Sequence, residues 1–399
     1  MTHRVARRAG IPPFHVMDVW LAAAERQRTH GDLVNLSAGQ PSAGAPEPVR
    51  AAAAAALHLN QLGYTVALGI PELRAAIAAD YERQHGITVG PDAVVVTTGS
   101  SGGFLLTFLA CFDVGDRVAM ASPGYPCYRN ILSALGCEVV EIPCGPATRF
   151  QPTVQMLAEL DPPVQGLVVA SPANPTGTVI PPAELSAIAS WCDESRVRLV
   201  SDEVYHGLVY EGAPQTSCAW QTSRNAVVVN SFSKYYAMTG WRLGWLLVPT
   251  ELRRAVDCLT GNFTICPPVL SQIAAVSAFT PRRPQKPTTI CGTMRSTARC
   301  CSTACVASGL TGWHPPTARS TSTPMSRTSP PTRWPSARGC WPTPVWRSHQ
   351  AWTSTLRGAT RLSGCRSPGR PATSKKLCAE CGPGCRAARC WAGAQQVPR

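Results

Sequence analysis

The chain has 399 residues, of which 44% are hydrophobic and 15% charged, and its formal net charge is +14. Such a length holds one large and one small domain around a sizeable core, and the absence of any run of 18 or more apolar residues argues against a membrane span. The charge invites a nucleic-acid reading, but residues 281–399 hold 19 Lys+Arg against the single acid Glu380, while residues 1–280 hold 18 against 22.

The basic character therefore belongs to the tail. Met1-Thr2-His3-Arg4 is not followed by an apolar signal core, so a soluble cytoplasmic protein is expected. Ten of the 18 cysteines also lie after residue 280. The earlier eight, among them Cys111, Cys137 and Cys192, sit in apolar segments and read as small buried hydrophobes, not as a disulfide framework.

In chain order, Phe14, Met17, Trp20, Leu21 and Ala24 recur at helical spacing, and Leu33 to Pro41 reads as a short strand and turn. Residues 48–59 form an alanine-rich helix, and a second helix over 71–85 is opened by Pro71. Residues 93–97 are a short β-rich run ending near Gly99, followed by an apolar helix. Further strands are expected over 117–121, 166–171, 198–202 and 226–230, with helices over 128–135 and 182–194. The strands are β-branched and apolar on both faces, as buried parallel strands are. The alternation predicts an α/β fold with a mostly parallel sheet and helices on both faces, whose ligand binds beyond the carboxyl ends of the strands. After Pro281 neither period persists: Pro, Ser, Thr, Arg, Cys and Trp are mixed without an amphipathic stripe.

The most specific stretch is Ser231-Phe-Ser-Lys234-Tyr-Tyr-Ala-Met-Thr-Gly-Trp-Arg242. A lysine beyond a buried strand, with serine three residues before it and arginine eight after, suits a phosphate-ester cofactor with an aldehyde. Lys234 would join that aldehyde as an imine and later act as general base, while Ser231 and Arg242 bind the phosphate.

This segment resembles the lysine signature of the class I/II aminotransferases, pyridoxal 5'-phosphate (PLP) enzymes of fold type I. The resemblance runs from about residue 10 to 280 and is nearest the aspartate-aminotransferase-like branch. It implies a transfer of an amino group between an amino acid and a 2-oxo acid. Asp202, in Val200-Ser-Asp-Glu-Val-Tyr205, takes the role of partner to the pyridine nitrogen, and Tyr205 bonds the ring oxygen. On the residues alone, this Asp-x-x-Tyr also reads as a helix cap. Asn174, in a turn-rich loop after a strand, shares the ring oxygen by resemblance. Ser100, Ser101 and Gly102 form the phosphate cup at a helix N-terminus, and Tyr125 is the ring that stacks on the pyridine. Tyr64 resembles the tyrosine that reaches the neighbouring subunit's phosphate, which implies a homodimer with shared sites, and Gly39 matches a small-domain glycine that meets the substrate. No metal is expected.

The resemblance divides the chain into an N-terminal segment of the small domain (1–45), a large PLP-binding domain (46–280) and an aberrant tail (281–399). The family's C-terminal domain supplies an arginine that clamps the substrate carboxylate, and no Arg-(Leu/Ile)-(Ser/Asn)-Phe-Ala pattern stands in the tail. The tail reads as translated out of frame. With chosen GC-rich codons, regrouping each third base with the next two has one consistent solution for Ala318–Thr328, Gly-Ala-Phe-Tyr-Val-Tyr-Ala-Asp-Val-Ser-His. The same frame can give Gly-Asp-Ser-Phe-Val-Arg-Leu-Ser-Phe-Ala-Gly-Pro from Gly358–Arg370, where the missing arginine would straddle the codons of Ser363 and Gly364. Other readings of the tail are a basic nucleic-acid-binding arm and a zinc module over Cys378, Cys381, Cys385 and Cys390. For the domain, a PLP lyase or decarboxylase of the same fold and a non-catalytic PLP-binding protein are the alternatives.

Overall fold

The computed structural model describes residues 3–33, 39–41, 43–59, 62–208 and 212–279. All of these lie in the first of two compact units, residues 1–290. The strand expected over 33–41 falls largely outside the described residues, and the tail does so entirely.

Seven strands form one sheet: β1 (Val94–Thr97), β2 (Arg117–Ser122), β3 (Glu138–Pro143), β4 (Gly166–Ala170), β5 (Arg198–Asp202), β6 (Val227–Ser231) and β7 (Gly244–Leu247). Their order is β1-β7-β6-β5-β4-β2-β3. The pairs among β2 to β6 are parallel, and β7 runs antiparallel to both β1 and β6. Nine helices are described: α1 (His15–His30), α2 (Glu47–Leu59), α3 (Pro71–His85), α4 (Gly99–Cys111), α5 (Pro126–Leu135), α6 (Val154–Ala158), α7 (Pro182–Ser195), α8 (Arg253–Phe263) and α9 (Val269–Val276). The mostly parallel α/β architecture matches the expectation from the sequence.

The strands are apolar on both faces because both faces are covered. Val95, Val168, Val200 and Val229 point to one side, where Phe104 and Phe108 of α4, Leu132 of α5 and Val256 of α8 meet them. Val96, Leu167, Val169, Leu199 and Val228 point to the other, against Leu73 and Ile77 of α3, Leu185 and Ile188 of α7 and Ala274 of α9. Each fully buried Leu, Ile or Phe here is worth roughly 1.5–3 kcal/mol of transfer free energy, which fixes the register of the sheet.

Two strands and three helices were not foreseen. The sheet-edge strand β3 is only part-buried and carries Glu138, which pairs with Arg117 of β2 at 2.9 Å, so its charges mask its pattern. β7 is four residues long and opens on glycine. Helices α6, α8 and α9 are short, and α8 buries only Val256 and Thr260. The burial of the cysteines also needs correction. Cys137, Cys144, Cys192 and Cys218 are buried as expected, but Cys111, Cys127 and Cys266 are part-exposed and Cys258 is exposed. Among the described residues, no helix is long and apolar enough to cross a membrane.

Candidate active site

Strands β1, β2, β4, β5 and β6 all end at the same edge of the sheet, and β7 begins there, because Gly244 pairs with both Thr97 and Ser231. The ends of β1, β2, β4, β5 and β6 each lead into one of the polar segments singled out in the sequence, while β3, which ends at the same edge, does not.

At the end of β1, the chain turns at Gly99 into α4. Gly99 has φ +69°, and a Cβ built there would lie 2.6 Å from Nη2 of Arg242. The guanidinium thus rests on the first residue of the helix, in space that only glycine leaves open. The N-cap, Thr98, makes no side-chain capping bond, so the first-turn N–H groups around Ser100, Ser101 and Gly102 are available to an anion. Gly244 brings the backbones together: its Cβ would meet Asn230 O and Ser100 N, both at 2.8 Å. Gly99→Ala is expected to lower stability by about 1–3 kcal/mol and to weaken phosphate binding by displacing Arg242, checked by thermal melts and a cofactor titration.

The loop between β6 and β7 carries both Lys234 and Arg242. Phe232 N donates to Leu243 O at 3.1 Å and closes the neck of the loop. Phe232 itself is fully buried, its ring 4.8 Å from that of Trp245. Ala237 and Arg242 both take positive φ (55° and 50°), and this folds the loop back so that the guanidinium reaches α4. Lys234 Nζ donates to Gly39 O at 2.7 Å and lies 5.7 Å from the Tyr205 ring centroid. Burial, reinforced by the positive charge of Arg242, lowers the Lys234 pKa against the opposing pull of Asp202. A lysine so placed carries more of its neutral, nucleophilic form at neutral pH than a free one does.

Asp202 ends β5 and is buried. Its Oδ1 accepts from Val204 N at 3.0 Å, in a turn and not a helix, so the helix-cap reading does not hold. Its Oδ2 accepts a hydrogen bond from the hydroxyl of Tyr128. Burial pushes the Asp202 carboxyl up to about 6, against the donations from Tyr128 and Val204 and the charge of Lys234. Burial and the Asp202 charge push the Tyr205 hydroxyl up to about 12, so it remains a donor throughout the physiological range.

Tyr125 is the N-cap of α5 and packs edge-on against Phe14 (5.9 Å between centroids) and Tyr128 (5.4 Å). Asn174 sits in a loop closed by Ala173 N to Thr178 O (2.9 Å) and Gly177 N to Ala173 O (2.7 Å), beyond β4, whose last residue Ala170 pairs with Asp202. The buried Gln151 braces this loop by donating to Ala170 O at 3.1 Å and Thr178 Oγ1 at 3.0 Å, a role that nothing in its local sequence signals.

The structure thus brings together Lys234, Asp202, Tyr205, Tyr125, Arg242 and Gly39, with Asn174, Ser100, Ser101 and Gly102 along the same edge. Two residues stand apart. The Ser231 hydroxyl accepts from Ser233 N (3.0 Å) and points its proton at Leu243 O (3.3 Å), so it braces the lysine loop and would have to turn to meet a phosphate. Tyr64 is 84% exposed and belongs to none of the cluster's ring contacts.

A helix N-terminus with an arginine laid across it, a lysine of lowered pKa and a buried carboxylate together fit a phosphorylated cofactor with a basic ring nitrogen. This is the donor set of a PLP-dependent enzyme of the mixed α/β type. The chain belongs to the class I and II aminotransferases, whose family model matches residues 31–296. These enzymes use PLP to move an amino group between an amino acid and a 2-oxo acid. Over 281 residues the chain is 91% identical to a valine–pyruvate aminotransferase of Mycobacterium tuberculosis, covering 70% of this chain and 72% of that one. It is 37% identical over 259 residues to an aspartate/prephenate aminotransferase of Thermus thermophilus (65% and 67% covered). The crystal structure of an aminotransferase from M. tuberculosis superposes with TM-score 0.72 at 86% identity, covering 75% of this chain and 77% of that one.

Proposed function

We propose that this site transfers the amino group of a small aliphatic amino acid of the valine type to pyruvate, with Lys234 as the residue that binds PLP covalently. The convergence of Lys234, Asp202 and Arg242 at one sheet edge carries the site assignment. The 91% identity to a valine–pyruvate aminotransferase supports the substrate class.

The residues divide the work as follows. Arg242 and the first turn of α4 at Ser100, Ser101 and Gly102 hold the phosphate, with Ser231 behind them. Tyr125 covers one face of the ring. Asn174 and Tyr205 would donate to the ring oxygen, and Asp202 would accept a hydrogen bond from the ring nitrogen and hold its proton. The bound cofactor supplies an electron sink for the pair left at the substrate's α-carbon. Lys234 Nζ, whose pKa is lowered by burial, would hold and relay the proton of the substrate's α-carbon. Gly39 O, already a partner of Nζ, would face the substrate.

Tyr64, exposed beside the exposed Val66, is assigned to the site of a second copy of the chain in a homodimer. Free thiols at all eight described cysteines accord with the cytoplasm. Residues 281–399 are read as out of frame. The high-identity alignment takes in 281 residues, and with chosen GC-rich codons the alternate frame can encode both a strand-like segment and the Arg-Leu-Ser-Phe-Ala pattern.

The test of function is a product assay with the in-frame protein. L-valine and pyruvate should give L-alanine and the 2-oxo acid of valine at least about tenfold faster than L-aspartate and 2-oxoglutarate react. Release of ammonia or carbon dioxide in place of transfer would instead favour the lyase or decarboxylase alternative.

A further inference from the structure

We propose that Tyr128 is a positioning residue for the cofactor, holding Asp202 ionised and oriented toward the ring nitrogen while bracing Tyr125. The proposal rests on the assignment of Asp202 as the ring-nitrogen partner.

Three observations carry it. First, the two oxygens of Asp202 are both engaged, Oδ1 by Val204 N and Oδ2 by the Tyr128 hydroxyl. A carboxylate bonded at both oxygens cannot rotate, and a hydroxyl donated to it favours its charged form. Second, Tyr128 is 3% exposed, so water does not replace it as a donor. Third, its ring touches both sides of the cofactor's surroundings. It packs against Phe104 of α4, the helix whose first turn holds the phosphate, at 4.9 Å, and against Tyr125 at 5.4 Å. Tyr125 and Tyr128 are three residues apart at the start of α5, on one face of that helix. One side chain thus links the phosphate helix, the stacking ring and the acid.

The titratable groups facing Asp202 are Tyr128 and Tyr125 from α5, Tyr205 and Glu203 beyond β5, and Lys234 from the β6–β7 loop. Among these, Tyr128 donates the hydrogen bond. Its loss should raise the pH at which the carboxylate loses its proton. An acid must be ionised to accept the ring's proton, so cofactor affinity should fall as pH drops through about 6.

The experiment is a PLP titration of the full-length cofactor-free protein, read by protein fluorescence between pH 5 and 8.5, for wild type, Tyr128→Phe, Asp202→Asn and the double variant. Tyr128→Phe should raise Kd about tenfold at neutral pH and move the affinity break upward by about one pH unit. In the Asp202→Asn background it should add less than about twofold, because the two residues act through one bond. Equal loss in both backgrounds, or no change of Kd and break in the single variant, overturns the role of Tyr128. A Kd unchanged by Asp202→Asn instead overturns the assignment of Asp202 itself. If the phenylalanine variant does not fold, Tyr128→Gln and Tyr128→Leu, alike in size but differing in the donor, make the same comparison. The glutamine form should bind the cofactor more tightly, and equal Kd values overturn the proposal.

Discussion

Lys234→Ala is expected to reduce transamination by about 10,000-fold or more and to abolish the covalent cofactor adduct. Two functions disappear with one amine. On the proposed assignment, the side chain is both the nucleophile that meets the aldehyde and the base that relays the proton. Nothing described nearby can stand in. The Tyr205 hydroxyl is pushed up to about 12, and Asp202 is committed to Val204 and Tyr128. Borohydride reduction followed by peptide mapping should place the adduct of the wild-type protein on the peptide holding residue 234. Phosphate binding through Arg242 and α4 does not need the amine, so the variant should still take up PLP reversibly. An adduct on another lysine, or turnover within tenfold of wild type, would remove the assignment.

Restoring the alternate reading frame beyond residue 280 is expected to raise kcat/KM by about a thousandfold over the chain as it stands. In the present frame the tail has 19 Lys+Arg and one acid, and it lacks the arginine motif that fixes a substrate carboxylate. Two parallel charge-assisted hydrogen bonds at roughly 1.5–3 kcal/mol each account for an effect of this size. The in-frame protein should also melt higher, because a C-terminal domain of regular strands and helices covers apolar surface that the tail's composition cannot. Steady-state kinetics of both proteins, with the gene's nucleotide sequence around codon 281, check it. Equal turnover in the two frames would show that the clamp is not in that segment.

Much of the site was legible because its parts are local. The apolar runs 198–202 and 226–230 declare buried strands, and the Lys234 segment packs three candidate residues into twelve positions. What escaped depends on long-range meetings. Tyr128 reads as one more aromatic on an amphipathic helix until the sheet sets it against Asp202, 74 positions away. The Lys234–Gly39 contact spans 195 positions. Ser231 carries a motif serine, yet its proton turns to a backbone carbonyl that appears only when β7 doubles back. Strand β3 was hidden by Glu138 and Glu141, whose charges pair with Arg117 and Arg129 at the sheet margin.

The reversal of β7 has a consequence for how this gene can vary. Lys234 and Arg242 hang from a single hairpin whose neck is pinned by Phe232 and Leu243, with Gly244 wedged between Asn230 and Ser100. Insertion or deletion of one codon between these pins would slide amine and guanidinium together, or force one off its target to keep the other. Length polymorphism should therefore be purged from this interval even where individual side chains drift, while the surface turns on the opposite rim of the sheet remain free to grow.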